Sequence, residues 1–214
     1  MNRPSKTTIL PADDAEAVER AAAVLKAGGL VAFPTDTVYG LGAHGFQPEA
    51  VESIYRVKGR MAQKAIPLLL GSLADVEEVA QNVPDTAWQL AERFWPGGLT
   101  LVLRRRPNVP DAVTSGGPTV AVRIPDHPVP LRLISLIDAP LAATSANRSG
   151  QPSPVTADEV RESLNGLIDV LLDGGTTPGG VESTVLDLSS SDPVVLRRGA
   201  VPVEELEKVL GRRL

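Results

Sequence analysis

The sequence predicts an α/β fold, a twisted, open, mixed β-sheet with helices flanking it. Three observations carry this. Short aliphatic runs alternate along the whole chain with stretches that repeat apolar residues every three or four positions, the periods of buried strands and amphipathic helices. Two late strand runs, 183–188 and 193–197, are separated only by the turn signal Ser189-Ser190-Ser191-Asp192, so the sheet is not all parallel. No Ser/Gly/Pro-rich linker divides the 214 residues, which reads as one domain, 1–214.

The elements follow in order. Asp13 and Asp14 can cap a helix with the stripe Val18, Ala21/Ala22, Leu25, closed by Gly28-Gly29. Strand 30–33 leads into "FPTDTVYGLG", read as a glycine-rich loop that His44 ends. Pro48 suits the first turn of a second helix, with Val51, Ile54 and Tyr55 inward. Ile66–Leu70 reads as a buried strand, followed by helices 73–81 and 85–95, the latter with Trp88, Ala91 and Trp95 on one stripe. Strands Leu99–Leu103 and Thr119–Ile124 flank a Pro- and Gly-rich loop. Helix 128–137, strand 140–143 and a long polar loop, 144–156, come next. Helix 157–165 (Val160, Leu164), strand 168–172 and loop 174–180 precede the late strand pair, and helix 203–211 carries Val203, Leu206 and Leu210.

Composition narrows the function. Hydrophobic residues make up 43% and aromatics 3%, so the core is aliphatic. The absence of cysteine excludes disulfides, thiol catalysis and cysteine-ligated zinc. The N-terminus has no apolar signal region and no stretch approaches a membrane span, which predicts a soluble cytoplasmic protein. A net charge of −5 and a pI near 5.1 argue against strong nucleic-acid binding. Arg104-Arg105-Arg106 is read as a solvated strand end.

Motifs exclude more. Neither G-x-x-x-x-G-K-[ST] nor G-x-G-x-x-G occurs. His44 and His127 are the only histidines, without H-E-x-x-H, and "PDHP" places Asp126 or His127 at a helix start. A histidine triad or zinc site is not expected.

What remains is a set of polar pairs at i, i+2, a spacing that puts both side chains on one side of extended backbone. They are Thr35/Thr37, Lys58/Arg60 and Ser145/Asn147. In "TVAVRIP", Val120, Val122 and Ile124 form a core face, leaving Thr119 and Arg123 on the other. In "ESTVLDL", Thr184, Leu186 and Leu188 pattern together, with Ser183 opposite, and Arg197 ends its strand. Each has a bland alternative: the threonines can bond their own loop, and Lys58 can complement a helix dipole. Arg123 is harder to dismiss, because a buried guanidinium is costly without an anionic partner. Together, four cations and several hydroxyls at element ends suit a small molecule bearing phosphate or carboxylate.

The motifs "FPTDTVYGLG", "KGR", "WPGGLTLVL", "TVAVRIPDHP", "TSANRSGQPSP", "ESTVLDL" and "LRRGAV" occur in one order over about 15–200. In this the chain resembles the YrdC-like family of L-threonylcarbamoyladenylate synthases, in its short form without an extra C-terminal domain. The resemblance implies a sheet around a large cavity and a reaction of L-threonine, bicarbonate and ATP giving threonylcarbamoyl-AMP, diphosphate and water. The product would feed tRNA modification to N6-threonylcarbamoyladenosine by a separate transferase complex, with little or no direct tRNA contact here. Residue by residue, it implies Thr35, Arg123, Ser145 and Ser183 at L-threonine. Lys58, Arg60, Thr119, Asn147 and Arg197 would meet the nucleotide, with Lys58 and Arg60 catalytic at the phosphates. Mg2+ would be held mainly by ATP phosphates and water, with no protein metal site and Asp36 a candidate for a water-mediated contact. Two positions depart from the family pattern: Met61 stands where K-x-R-P has proline, and "IPLLLG" lacks the histidine of P-L-x-x-H. Alternatives are a non-catalytic RNA-binding or ribosome-associated module on the same fold, and carbamoyl-AMP chemistry.

Overall fold

The computed structural model describes residues 6–61 and 63–214. Among them ten strands form one sheet: β1 (Thr8–Pro11), β2 (Val31–Phe33), β3 (Gly40–His44), β4 (Leu68–Leu69), β5 (Leu99–Arg104), β6 (Thr119–Arg123), β7 (Leu141–Ser145), β8 (Val170–Asp173), β9 (Thr184–Asp187) and β10 (Val194–Arg197). Their order across the sheet is β1-β8-β2-β3-β7-β4-β6-β5-β9-β10. Parallel pairs such as β5–β9 sit beside antiparallel ones such as β5–β6 and β9–β10, so the sheet is mixed as expected. The helices are α1 (Ala15–Lys26), α2 (Pro48–Lys58), α3 (Val76–Val79), α4 (Asp85–Phe94), α5 (Asp111–Thr114), α6 (Pro128–Ile137), α7 (Ala157–Leu164) and α8 (Val203–Leu210). No helix among the described residues is long and apolar enough to cross a membrane.

The two faces of the sheet are covered unequally, and this positions the site. On one face Leu41, Leu68, Leu101, Val120, Val122 and Leu186 pack with Ile54 of α2, Leu90 of α4, Val160 of α7 and Leu206 of α8. On the other, Val31, Phe33, Leu69, Leu141 and Leu172 lie against Leu25 of α1 and Leu133 and Ile137 of α6. Those two helices cover only part of that second face. Beyond them Ala121 and Arg123 of β6, Thr100 and Val102 of β5 and Val185 of β9 face a pocket instead of a helix.

Helix ends follow local chemistry. The Asp14 side chain accepts from Glu16 N at 2.9 Å, Pro48 occupies the first turn of α2, and Thr156 and Glu159 form a capping box at α7. His127 caps α6, its Nδ1 accepting from Val129 N at 3.2 Å, as "PDHP" implied.

Several expectations are corrected. "GLG" (40–42) is the start of a central strand, β3, paired with β2 and β7, and His44 closes a strand rather than a loop. The glycines are there because the Phe33 ring lies across them: a Cβ on Gly42 would sit 2.7 Å from Phe33 Cε1, and one on Gly40 3.0 Å from Cε2. Strand β1 was not anticipated, since its pairing with β8 spans most of the chain. Helix 73–81 shrinks to the single turn α3, and α5 appears within the loop between β5 and β6. The inward stripe of α4 is Ala87, Leu90 and Ala91, while Trp95 lies just past the helix, its Nε1 donating to Leu99 O at 2.6 Å. Ser145 ends β7, so the polar loop begins two residues later, at 146. The arginine run is pinned rather than free: Arg105 bonds Asp111 at 2.6 Å and Arg106 Nε donates to Ala80 O at 3.2 Å.

Candidate functional site

The open part of the second face holds a pocket of about 410 Å3, a volume within the range of small-ligand sites. Thr35, Thr37, Arg60, Arg123, Ser145, Ser183 and Arg197 all line it. Alternation explains why: with Leu101, Val122 and Leu186 committed to the core, the intervening residues of β5, β6 and β9 must face the opposite way. Ladder register sets them side by side, Val102 opposite Ala121 and Thr100 opposite Val185.

One wall is built by the loop after β2. Thr35 Oγ1 donates to Val38 O at 2.7 Å, accepts from Thr37 N at 3.1 Å and meets Thr37 Oγ1 at 3.0 Å. Both threonines thus bond their own loop and also line the pocket. Arg123 reaches this wall from β6. Its Nε donates to Gly97 O at 2.8 Å, its Nη1 to Thr37 Oγ1 at 3.1 Å, and its Nη2 to Asp36 Oδ1 and Oδ2 at 2.5 and 2.6 Å. Burial pushes the guanidinium pKa down and the Asp36 carboxylate pulls it back up. Asp36 is therefore the counter-ion of Arg123, with both oxygens engaged by it.

The far wall joins β5, β9 and β10. Ser183 Oγ lies 2.8 Å from Thr100 Oγ1 and accepts from Arg197 Nη2 at 3.0 Å, while Arg197 Nε donates to Ser183 O at 2.9 Å. Arg197 Nη1 pairs with Glu182 Oε2, and Glu182 Oε1 accepts from Ser153 Oγ at 2.6 Å. This chain ties the polar loop after β7 to the strand end at Ser183. Arg60 enters from the end of α2, its Nε donating to Lys64 O at 3.1 Å and its Nη2 to Ala65 O at 2.9 Å. Burial lowers its pKa as well, with Tyr55 and Glu182 opposing and Arg197 adding to the fall.

Three of the sequence-derived residues lie outside this lining. Thr119 starts β6 opposite Arg104, Asn147 is buried in the polar loop, and Lys58 is buried at the end of α2. The Lys58 ammonium bonds the loop containing Asn147, and burial, with the Arg60 charge acting the same way and Glu182 opposing, lowers its pKa to about 8. Residues that sequence reasoning left unassigned also build the pocket: Thr37, Thr100 and Glu182. Thr100 was legible as the polar residue alternating with Leu99, Leu101 and Leu103. For Glu182 no local signal exists, because its partner Arg197 is 15 residues away. Among the described residues no three His, Cys, Asp or Glu side chains come together in a metal-binding group.

The fold and site define an α/β protein with a hydroxyl-lined, arginine-rich pocket on the open part of one sheet face. The Sua5/YciO/YrdC family model, described as "Telomere recombination", matches residues 23–199, and the chain belongs to that family. It is 50% identical over 191 residues to the threonylcarbamoyl-AMP synthase of Pyrococcus abyssi, a match covering 89% of this chain and 56% of that protein. It is 38% identical over 201 residues to a putative threonylcarbamoyl-AMP synthase of Mycobacterium tuberculosis, covering 94% of this chain and 92% of that one. The crystal structure of P. abyssi Sua5 complexed with L-threonine superposes with a TM-score of 0.92 at 46% identity, over 97% of this chain and 61% of that one. The chain thus spans 56% of the length of the P. abyssi protein and the same share of the Bacillus subtilis threonylcarbamoyl-AMP synthase it matches.

Proposed function

We propose that the chain is a cytoplasmic L-threonylcarbamoyladenylate synthase acting as one domain, joining L-threonine, bicarbonate and ATP into threonylcarbamoyl-AMP with release of diphosphate and water. The observation that carries this reading is the convergence of Arg60, Arg123 and Arg197 with the hydroxyl residues Thr35, Ser145 and Ser183 in one pocket. Family membership and the threonylcarbamoyl-AMP synthase activity of its relatives support this choice of reaction.

In this reading the threonine amine captures CO2 or bicarbonate as a carbamate. A carbamate oxygen then attacks the α-phosphate of ATP in line, and diphosphate leaves. Arg60 and Arg197 offset charge on the transferring and leaving phosphates, with the Lys58 charge behind them. Arg123 meets the threonine carboxylate through the one Nη1 hydrogen its protein partners leave over. Thr35, Ser145 and Ser183 orient the amino acid, while Thr119 and Asn147, both outside the pocket lining, would meet the nucleotide only where it extends beyond that lining. No covalent nucleophile is needed, since positioning and charge compensation carry the reaction.

Magnesium fits only through its substrate. The pocket carboxylate Glu182 is paired with Arg197, and Asp36 is paired with Arg123. A small octahedral ion would therefore be bound by phosphate oxygens and water, where it would neutralise phosphate charge. The product would pass to a tRNA-modifying transferase, and the net charge of −5 suits a protein that does not itself bind tRNA.

The test is diphosphate release from ATP by the purified protein, with and without L-threonine and bicarbonate. Release should require both co-substrates and disappear in Arg60→Ala. Release independent of threonine, or none above background in folded protein with magnesium, would overturn the reading.

A further inference from the structure

Lys58 stands apart from the other cations of the site. It is 3% exposed and does not line the pocket. Its Nζ donates to the backbone oxygens of Ser145 and Asn147 and to Asn147 Oδ1, the last at 3.2 Å. An ammonium has three hydrogens, and these three oxygens take them all. The backbone returns the contact, Ser149 N donating to Lys58 O at 2.9 Å. Asn147 then spreads the order along the loop, its Nδ2 donating to Arg148 O at 3.1 Å and Gln151 O at 2.5 Å.

We propose that Lys58 is a positioning residue, its ammonium a latch that holds the loop 145–151 against the end of α2 and so sets the Ser145 wall of the pocket, rather than a direct contact to phosphate. Three oxygens converge on one buried point, where without a cation they would face one another unsatisfied. The latch acts where loop meets strand: Ser145 is the last residue of β7, pairs with Gly40 of β3 and lines the pocket, so fixing its carbonyl fixes the side chain beside the ligand. The lowered pKa of Lys58 reports how firmly the group is enclosed. The ligand named in the test rests on the synthase reading, but the latch itself does not.

The experiment compares wild type with Lys58→Met, which keeps the length of the side chain without its charge, and Lys58→Gln, which keeps part of its donor capacity. Backbone amide exchange is followed across 145–151, and L-threonine binding is measured by calorimetry without nucleotide. Lys58→Met should speed exchange at Ser149 and its neighbours by about tenfold or more, the scale of one lost charge-assisted hydrogen bond, and leave β5 and β6 protected. It should also weaken nucleotide-free threonine binding by about fivefold or more, with Lys58→Gln intermediate. Where Lys58→Met does not fold, Lys58→Gln carries the comparison. Wild-type exchange and wild-type threonine affinity in the variants, with only the KM for ATP raised, would overturn the latch in favour of a direct phosphate contact. If wild type binds no threonine, the synthase reading falls, and the exchange measurement alone decides the latch.

Discussion

Replacing Asp36 with Asn removes the charge opposite Arg123 and keeps the side chain's shape. The pair is largely enclosed, with side-chain exposures of 8% for Arg123 and 14% for Asp36, so water only partly takes the carboxylate's place. Both oxygens receive hydrogen bonds from Nη2, at 2.5 and 2.6 Å. Breaking a buried pair on one side costs about 3–5 kcal/mol, and since the amide keeps one oxygen, the lower end, about 3 kcal/mol, applies here. For a chain of this size that lowers Tm by roughly 6–12 °C. Urea unfolding followed by circular dichroism measures the loss directly. The decisive comparison is Asp36→Asn combined with Arg123→Met, which leaves no uncompensated ion. Its cost should fall short of the sum of the two single changes by about 2 kcal/mol or more. Strict additivity, or an Asp36→Asn protein within about 1 kcal/mol of wild type, would refute a buried ion pair at the pocket wall.

Two further expectations concern the strand beneath the pocket and the latch. Gly42→Ala drives a Cβ to 2.7 Å from the fully buried Phe33 ring, and overpacking of this kind should cost about 1–3 kcal/mol in urea unfolding, while a neutral effect would mean that the ring is free to move away. The Lys58 pKa is lowered to about 8, so above that pH the unfolded chain binds more protons than the folded one. The burden of the buried charge is full below about pH 8 and is relieved as pH rises toward the ordinary lysine value, by at most about 3 kcal/mol. Measured from about pH 7.5 to 10, wild type should therefore gain stability relative to Lys58→Met, a comparison that cancels the other titrating groups; parallel curves would contradict the shift.

Where the signal is local, sequence and structure agree closely. Helix α6 runs Pro128–Ile137 as anticipated because its start and stop are written in adjacent residues: Pro128 in the first turn, His127 as cap and Asp138 in the left-handed conformation at the end. Alternation put Arg123 on the side of β6 away from Val120 and Val122, and Ser183 opposite Leu186, and the structure turns both to the pocket while the aliphatic residues enter the core. The misses have a different origin. A glycine-rich segment reads as a loop until the ring of Phe33, on the neighbouring strand, is seen lying over Gly40 and Gly42. Strand β1 has few residues and an exposed pattern, and becomes a strand only by pairing with Val170–Asp173.

The sequence by itself determined the α/β class, most of the helices and several of the cations and hydroxyls that line the pocket. Those follow from backbone preference and side-chain periodicity, which act over a few residues. Only the tertiary structure decided that α1 and α6 stop short of covering the sheet, that Arg123 is answered by Asp36, and that Lys58 turns to the loop instead of the pocket. A buried cation must find its oxygens wherever the packed chain brings them. Lys58 reaches Ser145, and Arg123 reaches Asp36, each 87 residues away along the chain, a separation at which no local pattern leaves a trace.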